Sequence, residues 1–299
     1  MKTFLKIFIS ILLSAVLIFL TMVTFYLPKY IQSDAKVNLN AEDDGSITLM
    51  STNVRYVSYE DFFKRSWFYR ADLVCDDINS VQPDIIGFQE ATPIHYEYLK
   101  KILVGYDNEM AYRDNFILSE GCPIFYRTDK FEKVDSGSFW LSETPEKPSM
   151  GWDAACKRTA TWALMKDKKT GKQFYFVNTH LDHRGSEAQR KGLELIVSRI
   201  SHINPKGYPM VLTGDFNVKP NNDALKDLDT KMMSARKIAP RTDNHPTFNN
   251  WGKIKPDMVI DYIYVSGFAA CPEYHTVTEK YGSWKYVSDH YPIAAKLIF

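Results

Sequence analysis

The run Met210-Val211-Leu212-Thr213-Gly214-Asp215-Phe216-Asn217 constrains this chain more than any other. A short apolar run that stops at a turn-forming glycine reads as a strand buried on both faces. Side chains alternate along an extended segment, so Asp215 and Asn217 are expected to point the same way. A carboxylate beside a carboxamide can take a proton from an oxygen nucleophile and donate a hydrogen bond, a pairing that suits attack by water on phosphorus. Taken alone, the segment is read equally well as a strand running into an Asx turn.

The pattern recurs. Apolar runs stop at a polar residue at Asn53, at Glu90, at Asn178-Thr179-His180, at Asp261 within Ile260-Asp261-Tyr262-Ile263, and at Ser288-Asp289-His290. Singly, each has a plain explanation: Glu90 as a helix cap, His180 as a satisfied core histidine. Asp261 resists one, because a carboxylate among apolar neighbours is costly to bury unless paired. A histidine is its expected partner.

Between these ends the chain mixes strands and helices. Strands are expected at 47–52, 84–90, 122–126, 131–138, 259–265 and 293–299, with a hairpin of 159–166 and 173–179 about Lys169-Thr170-Gly171. Val74, Ile78 and Val81 have helical spacing within 69–82, and Pro83 ends that helix. The aromatic stretch 56–70 is too irregular to read as one. Thr92-Pro93 opens a helix to about Val104, Ser186-x-x-Gln189 reads as a capping box, and a short helix is expected near 223–229. Mixed sheets with covering helices predict an α/β sandwich of one domain.

Ile7 to Leu27 contains no charge and is long enough to cross a bilayer as a helix. Its length favours an anchor over a cleaved signal peptide, and Lys2 and Lys6 favour leaving the N-terminus inside, with the body outside the cytoplasm. Secretion after cleavage near Ser33-Asp34-Ala35 is the alternative. The expected division is 1–36 as anchor and polar linker, the linker running from Ile31 to Gly45, and 37–299 as the catalytic body. Beyond residue 36 there remain 33 basic and 35 acidic side chains, so charge gives no support to tight binding of long duplex DNA. Cys75, Cys122, Cys156 and Cys271 lack CxxC spacing, which argues against a zinc cage and reads as buried thiols.

In order and spacing, Asn53-Val54-Arg55, Gln89-Glu90, Asn178-Thr179-His180, Gly214-Asp215-Phe216-Asn217, Ile260-Asp261-Tyr262-Ile263 and Ser288-Asp289-His290 resemble the endonuclease/exonuclease/phosphatase superfamily over residues 46–299. Phe139–Pro145 and Gly151-Trp152-Asp153 are similar to a bacterial branch of it. The resemblance implies a four-layer α/β/β/α sandwich of two mixed sheets and cleavage of a phosphoester with Mg²⁺, or Mn²⁺ in its place. It implies Glu90, with Asn53 and Asp289, as metal ligands. Asp215 handles the proton of the attacking water or of the leaving group, Asn217 donates to a phosphoryl oxygen, His290 is held by Asp261, and His180 contacts the same phosphate. Arg158, His183 and Arg184 are candidate phosphate contacts by position. Apurinic endonucleases of that superfamily carry an acid where Arg55 stands, which weakens abasic DNA as a substrate.

Three functions stay open on the sequence. One is a nuclease-like phosphodiesterase or phosphomonoesterase, acting as a monomer on nucleic acid or on a sugar or inositol phosphate. The second is a phospholipid hydrolase, which an anchor and an aromatic segment suit. The third is a binding module without catalysis, and no catalytic side chain is missing that would favour it.

Overall fold

Seen in a computed structural model that describes residues 2–40, 44–280, 284 and 286–299, the chain is a sandwich of two mixed six-stranded sheets with helices on the outer faces. In chain order the elements are α1 (Lys2–Thr21), a π-helical turn (Met22–Tyr26), α2 (Leu27–Gln32), β1 (Ile47–Asn53), α3 (Trp67–Val81), β2 (Ile85–Gln89), α4 (Pro93–Ile102), β3 (Tyr106–Glu109), β4 (Ile124–Arg127), β5 (Phe131–Trp140), β6 (Thr159–Asp167), β7 (Gln173–His180) and α5 (Ser186–Ile203). There follow β8 (Met210–Asp215), α6 (Lys226–Lys231), β9 (Met233–Ser234), α7 (Ala235–Ile238), β10 (Asp261–Ser266), β11 (Ala270–Thr276) and β12 (Ile293–Ile298). The sheet orders are β11-β12-β1-β2-β4-β3 and β5-β6-β7-β8-β10-β9. Each sheet has one parallel pair, β1 with β2 and β7 with β8, and its other pairs are antiparallel.

Side-chain alternation assigns each strand to two cores. Met50, Ile86 and Phe88 pack outward against Trp67, Ala71, Val74 and Ile78 of α3 and Leu99 and Ile102 of α4. Val177, Leu212 and Tyr262 pack outward against Leu193, Ile196, Val197 and Ile200 of α5. The opposite faces, with Ile47, Leu49, Ile85, Phe174, Phe176, Val211, Ile263 and Leu297, meet between the sheets. Being covered on both faces, the central strands are apolar runs rather than alternating ones.

Along the inward face the chemistry changes. On β1 it runs Ile47, Leu49, Ser51, Asn53; on β2 Ile85, Gly87, Gln89; on β7 Phe174, Phe176, Asn178, His180; on β8 Val211, Thr213, Asp215. The antiparallel β10 reads the same series backwards, with Asp261 at the polar end and Ile263 and Val265 at the apolar end. The polar groups satisfy one another across the sheets. Gln89 Nε2 donates to Asn178 Oδ1 at 2.7 Å, and Asn178 Nδ2 donates to the Phe88 and Pro123 carbonyls at 2.7 and 3.1 Å. Gly87 is required here, since a Cβ on it would lie 2.7 Å from both Asn178 Oδ1 and Thr213 Oγ1.

Four expectations are corrected. Helix α3 starts at Trp67, inside the stretch read as irregular, because its aromatic residues bury Trp67 rather than follow a simple stripe. Ser186 and Gln189 form no capping box. Ser186 is the first helical residue, the N–H groups of Glu187 and Ala188 donate to Asp153, and Gln189 Nε2 donates to the Asp182 carbonyl. The segment after α2 is not a free spacer, for Val37 is buried and its N–H donates to the Ile102 carbonyl, while residues 41–43 of that linker lie outside the described residues. Strands β3, β9 and β11 were not anticipated; all three are edge strands or next to an edge in polar or irregular sequence.

The N-terminal helix is long and apolar enough to cross a membrane over Phe4–Gln32. Its far half is exposed, whereas its near end packs on the body: Tyr30 stacks on Tyr98 and meets Phe68 edge-on, and Tyr26 meets Tyr69.

Candidate active site

Strand register brings the polar ends together. Asp215 is the partner of His180 on one side and of Asp261 on the other, while Asn53 is paired with Gln89 in the facing sheet. Asn53 Nδ2 bridges the sheets, donating to Glu90 Oε1 at 3.1 Å and to Asp215 Oδ2 at 3.0 Å. Three residues just beyond these strand ends, Arg55, Glu90 and Asn217, have positive φ of 57°, 61° and 54°. Left-handed backbone is unfavourable for such side chains, and its recurrence at one site marks a cleft built against local preference.

Asn217 therefore does not continue the strand. Asp215 Oδ1 accepts its N–H at 2.9 Å, an Asx turn, and the turn still delivers the amide to the cleft, so the two readings of this segment are one structure. Asn217 Nδ2 donates to the Leu181 carbonyl at 3.1 Å and lies 3.0 Å from His180 Nε2. Burial, with the charges of Arg158 and Arg113, keeps the pKa of His180 well below the usual imidazole value. A neutral ring has one acceptor nitrogen, and Arg158 Nη1 fills it at Nδ1, 2.9 Å away. Nε2 then carries hydrogen and faces Asp215 Oδ2 at 3.4 Å, a contact that is polar rather than ionic.

His290 is the opposite case. Its Nδ1 lies 2.9 Å from Asp261 Oδ2, and its Nε2 lies 3.7 Å from Asp215 Oδ2. Burial opposes its charge, but Asp261 and then Asp215 outweigh that and hold the imidazolium to about 10. Burial also raises Asp215 to about 7, with the charge of His290 opposing and that of Asp261 adding. A carboxylate poised there is well matched to proton transfer near neutral pH.

Across the cleft, Glu90 Oε2 accepts the Tyr56 N–H at 2.7 Å, and Asp289 lies 3.6 Å from Arg55 Nη1. Burial raises the Asp289 carboxyl, and Glu90 adds to this by like-charge repulsion. Two carboxylates that repel across a polar cavity are the donor set that a hard divalent cation takes. Asn53 Oδ1 accepts the Arg55 N–H at 2.9 Å while its Nδ2 holds Glu90 and Asp215. Ligand atoms of Asp215, Asp261 and His290 also lie within 4.8 Å of one another, as do those of Cys156, Asp182 and His183. In the first group His290 already neutralises Asp261. In the second Asp182 already accepts four backbone N–H groups.

Arg55, Glu90, His180, Asp215, Asn217, Asp289 and His290 line a cavity of about 510 Å³ that also takes in Tyr56, Arg113, Glu120, Cys156, Arg158, His183, Phe248 and Met258. Arg158 is buried and His183 sits at the surface with Nδ1 3.4 Å from Arg158 Nη2; Arg184 is exposed and outside the lining. Arg113 and Glu120 come from an irregular loop with no motif, and sequence reasoning missed them. An apolar groove of about 570 Å³ between the N-terminal helix and residues 57–68 holds none of these groups. All four cysteines are free; Cys75, Cys122 and Cys271 are buried as expected, and Cys156 is half-buried.

Known proteins share this arrangement. An endonuclease/exonuclease/phosphatase from Bacteroides vulgatus is 38% identical with a TM-score of 0.79, over 84% of this chain and 98% of that one. A mannosyl-6-phosphatase from Bacteroides thetaiotaomicron is 33% identical with a TM-score of 0.79, over 85% of this chain and all of that one (100%). Nocturnin of Xenopus laevis is 25% identical over 228 residues, 68% of this chain, which spans 55% of that protein's length. The profile of the Endonuclease/Exonuclease/phosphatase family matches residues 50–290, and the chain belongs to that family of metal-dependent phosphoesterases and nucleases.

Proposed function

We propose that the chain hydrolyses a phosphate monoester of a small soluble alcohol by direct attack of water. The observation that carries this reading is the convergence of Asp215, Asn217, His180 and His290 on a cavity whose volume suits a small ligand and whose wall includes the buried Arg158 guanidinium. The likeness to a mannosyl-6-phosphatase supports a monoester over a polymer.

Asp215 takes the proton of the attacking water. The Asn217 amide and the His180 imidazole turn to phosphoryl oxygens when substrate binds, and the His290 imidazolium, fixed by Asp261, offsets negative charge as it builds or gives a proton to the leaving oxygen. Glu90 and Asp289 would hold Mg²⁺, with Mn²⁺ as substitute, and Asn53 orients Glu90. Such an ion, when bound, stabilises charge on the transferring phosphoryl group. No covalent phosphoenzyme is required.

Residues 37–299 form the catalytic domain, anchored by the N-terminal helix with the cleft outside the cytoplasm. Retention of the helix is supported by Tyr26 and Tyr30, whose loss would uncover Tyr69, Phe68 and Tyr98.

The test is release of inorganic phosphate by the full chain in detergent. Hexose 6-phosphates and phenyl phosphate should be cleaved with Mg²⁺ and left intact in excess chelator. Cleavage of nucleic acid or sphingomyelin with no action on any monoester, or full activity in chelator, would contradict the proposal.

A further inference from the structure

Arg113 and Glu120 face each other across the neck of the loop that follows β3. Arg113 Nη2 donates to Glu120 Oε1 at 2.7 Å and Nη1 to Oε2 at 2.9 Å, and the two side chains are only 21% and 14% exposed. Backbone contacts fix the neck. The Arg113 N–H donates to the Glu120 carbonyl at 2.9 Å, Gly121 exchanges hydrogen bonds with Ala91 next to Glu90, and Trp140 Nε1 donates to the Arg113 carbonyl at 2.8 Å. Both side chains line the active-site cavity, and both also line a small recess with Glu90, Arg158, Thr159 and His180.

A carboxylate in the wall of a phosphate-binding cavity is the wrong chemistry for the phosphate and the right one for hydroxyl groups. A planar guanidinium beside a carboxylate offers donors and acceptors about one hydroxyl apart, which a vicinal diol can bridge. Arg158 lines the same recess and is buried, with its Nη1 and Nη2 turned to His180 and His183 on the phosphate side of the cavity.

We propose that Arg113 and Glu120, with Arg158 between them and the reacting phosphoryl group, form a leaving-group subsite that reads hydroxyls and selects phosphate monoesters of sugars or other polyols. This rests on the monoesterase reading of the adjoining site. Glu120, though paired with Arg113, keeps lone pairs that can accept from a hydroxyl, and a site that hydrogen-bonds a substrate hydroxyl discriminates against an analogue without it. A purely structural pair at the loop neck would show no such discrimination.

The test is calorimetric binding to the full chain with Mg²⁺ in an Asp215→Asn background, where turnover is held off. The probes are mannose 6-phosphate, phenyl phosphate and inorganic phosphate. The hexose phosphate should bind at least tenfold more tightly than the other two, and Glu120→Gln should abolish that preference. Because removing one partner of an ion pair can unfold a loop, the paired replacement Arg113→Met/Glu120→Gln is measured beside it, with thermal melting as the check on folding, and should abolish the preference likewise. A preference that survives in a folded variant, or phosphate binding with no hexose preference in the parent, overturns the subsite and leaves the monoesterase reading standing. Failure of the parent to bind any of the three probes overturns both.

Discussion

The two sheets bring different chemistry to one cleft. The first brings Asn53 and Glu90 from the ends of β1 and β2, joined by Asp289 from the loop before β12. The second ends β7, β8 and β10 in proton carriers: His180, Asp215 and Asp261, with Asn217 just beyond. The loop before β12 serves both, since Asp289 faces Arg55 of the first sheet while His290, its neighbour, reaches Asp261 of the second. On the proposed reading, the acids that would hold a cation, Glu90 and Asp289, and the acid that would take a proton, Asp215, belong to different halves of the site.

If the halves divide labour in this way, the largest loss should come from the proton half. Asp215→Asn keeps shape and removes the base, so kcat should fall about 10³-fold with little change in KM. The melting temperature should hold or rise, because a buried carboxylate that burial penalises is gone. Near wild-type turnover would break the comparison at its centre.

A smaller effect sharpens it. Asp261→Asn and His290→Ala should each lower kcat, by about 10²-fold, and the double variant should lose little more than His290→Ala alone, since one acts through the other. The sign of the pH effect follows from the raised pKa. Asp261 favours protonated His290, so its removal lets the proton leave at lower pH, and the basic limb of the pH–rate profile should move down from about 10. Additive losses with an unmoved limb would mean that the two residues work separately.

The smallest effect concerns the seam. Gly87→Ala puts a methyl 2.7 Å from Asn178 Oδ1 and Thr213 Oγ1, forcing the sheets apart where they are polar. Chemical denaturation should show a loss of about 1–3 kcal/mol with a residual kcat that is reduced but measurable. Unchanged stability would show that the two sheets are not held in register at this point.

The sequence made the strand ends legible because a polar residue after an apolar run is a local pattern, and Asp261 demanded a partner on energetic grounds alone. Cover on both faces of the central strand was legible too, because a continuous apolar run such as Met210–Leu212 implies it, whereas the four layers followed only from the family resemblance. What escaped was non-local. Arg113 and Glu120 stand seven positions apart in a loop with no periodicity, and only the bridge of Gly121 to Ala91 brings them beside Glu90. Helix α5 takes its N-terminal acceptor from Asp153, 33 residues before Ser186, so its own first turn was a misleading guide. Thr92 likewise gives its hydroxyl to His95 Nδ1 and makes no side-chain cap at α4. Strand β11 hides in Ala-Cys-Pro-Glu-Tyr-His-Thr, where a register shift replaces alternation.

The division of labour between the sheets is tested most directly by locating the ion. Crystals of the body soaked with Mn²⁺ and inorganic phosphate, measured at the manganese absorption edge, place the metal by its anomalous scattering. A single strong peak bonded to Glu90 and Asp289 is expected, with phosphate oxygens at Asn217, His180 and His290 and no metal ligand from Asp261. A peak held instead by Asp215, Asp261 and His290 would contradict it, because the proton half would then be the metal half.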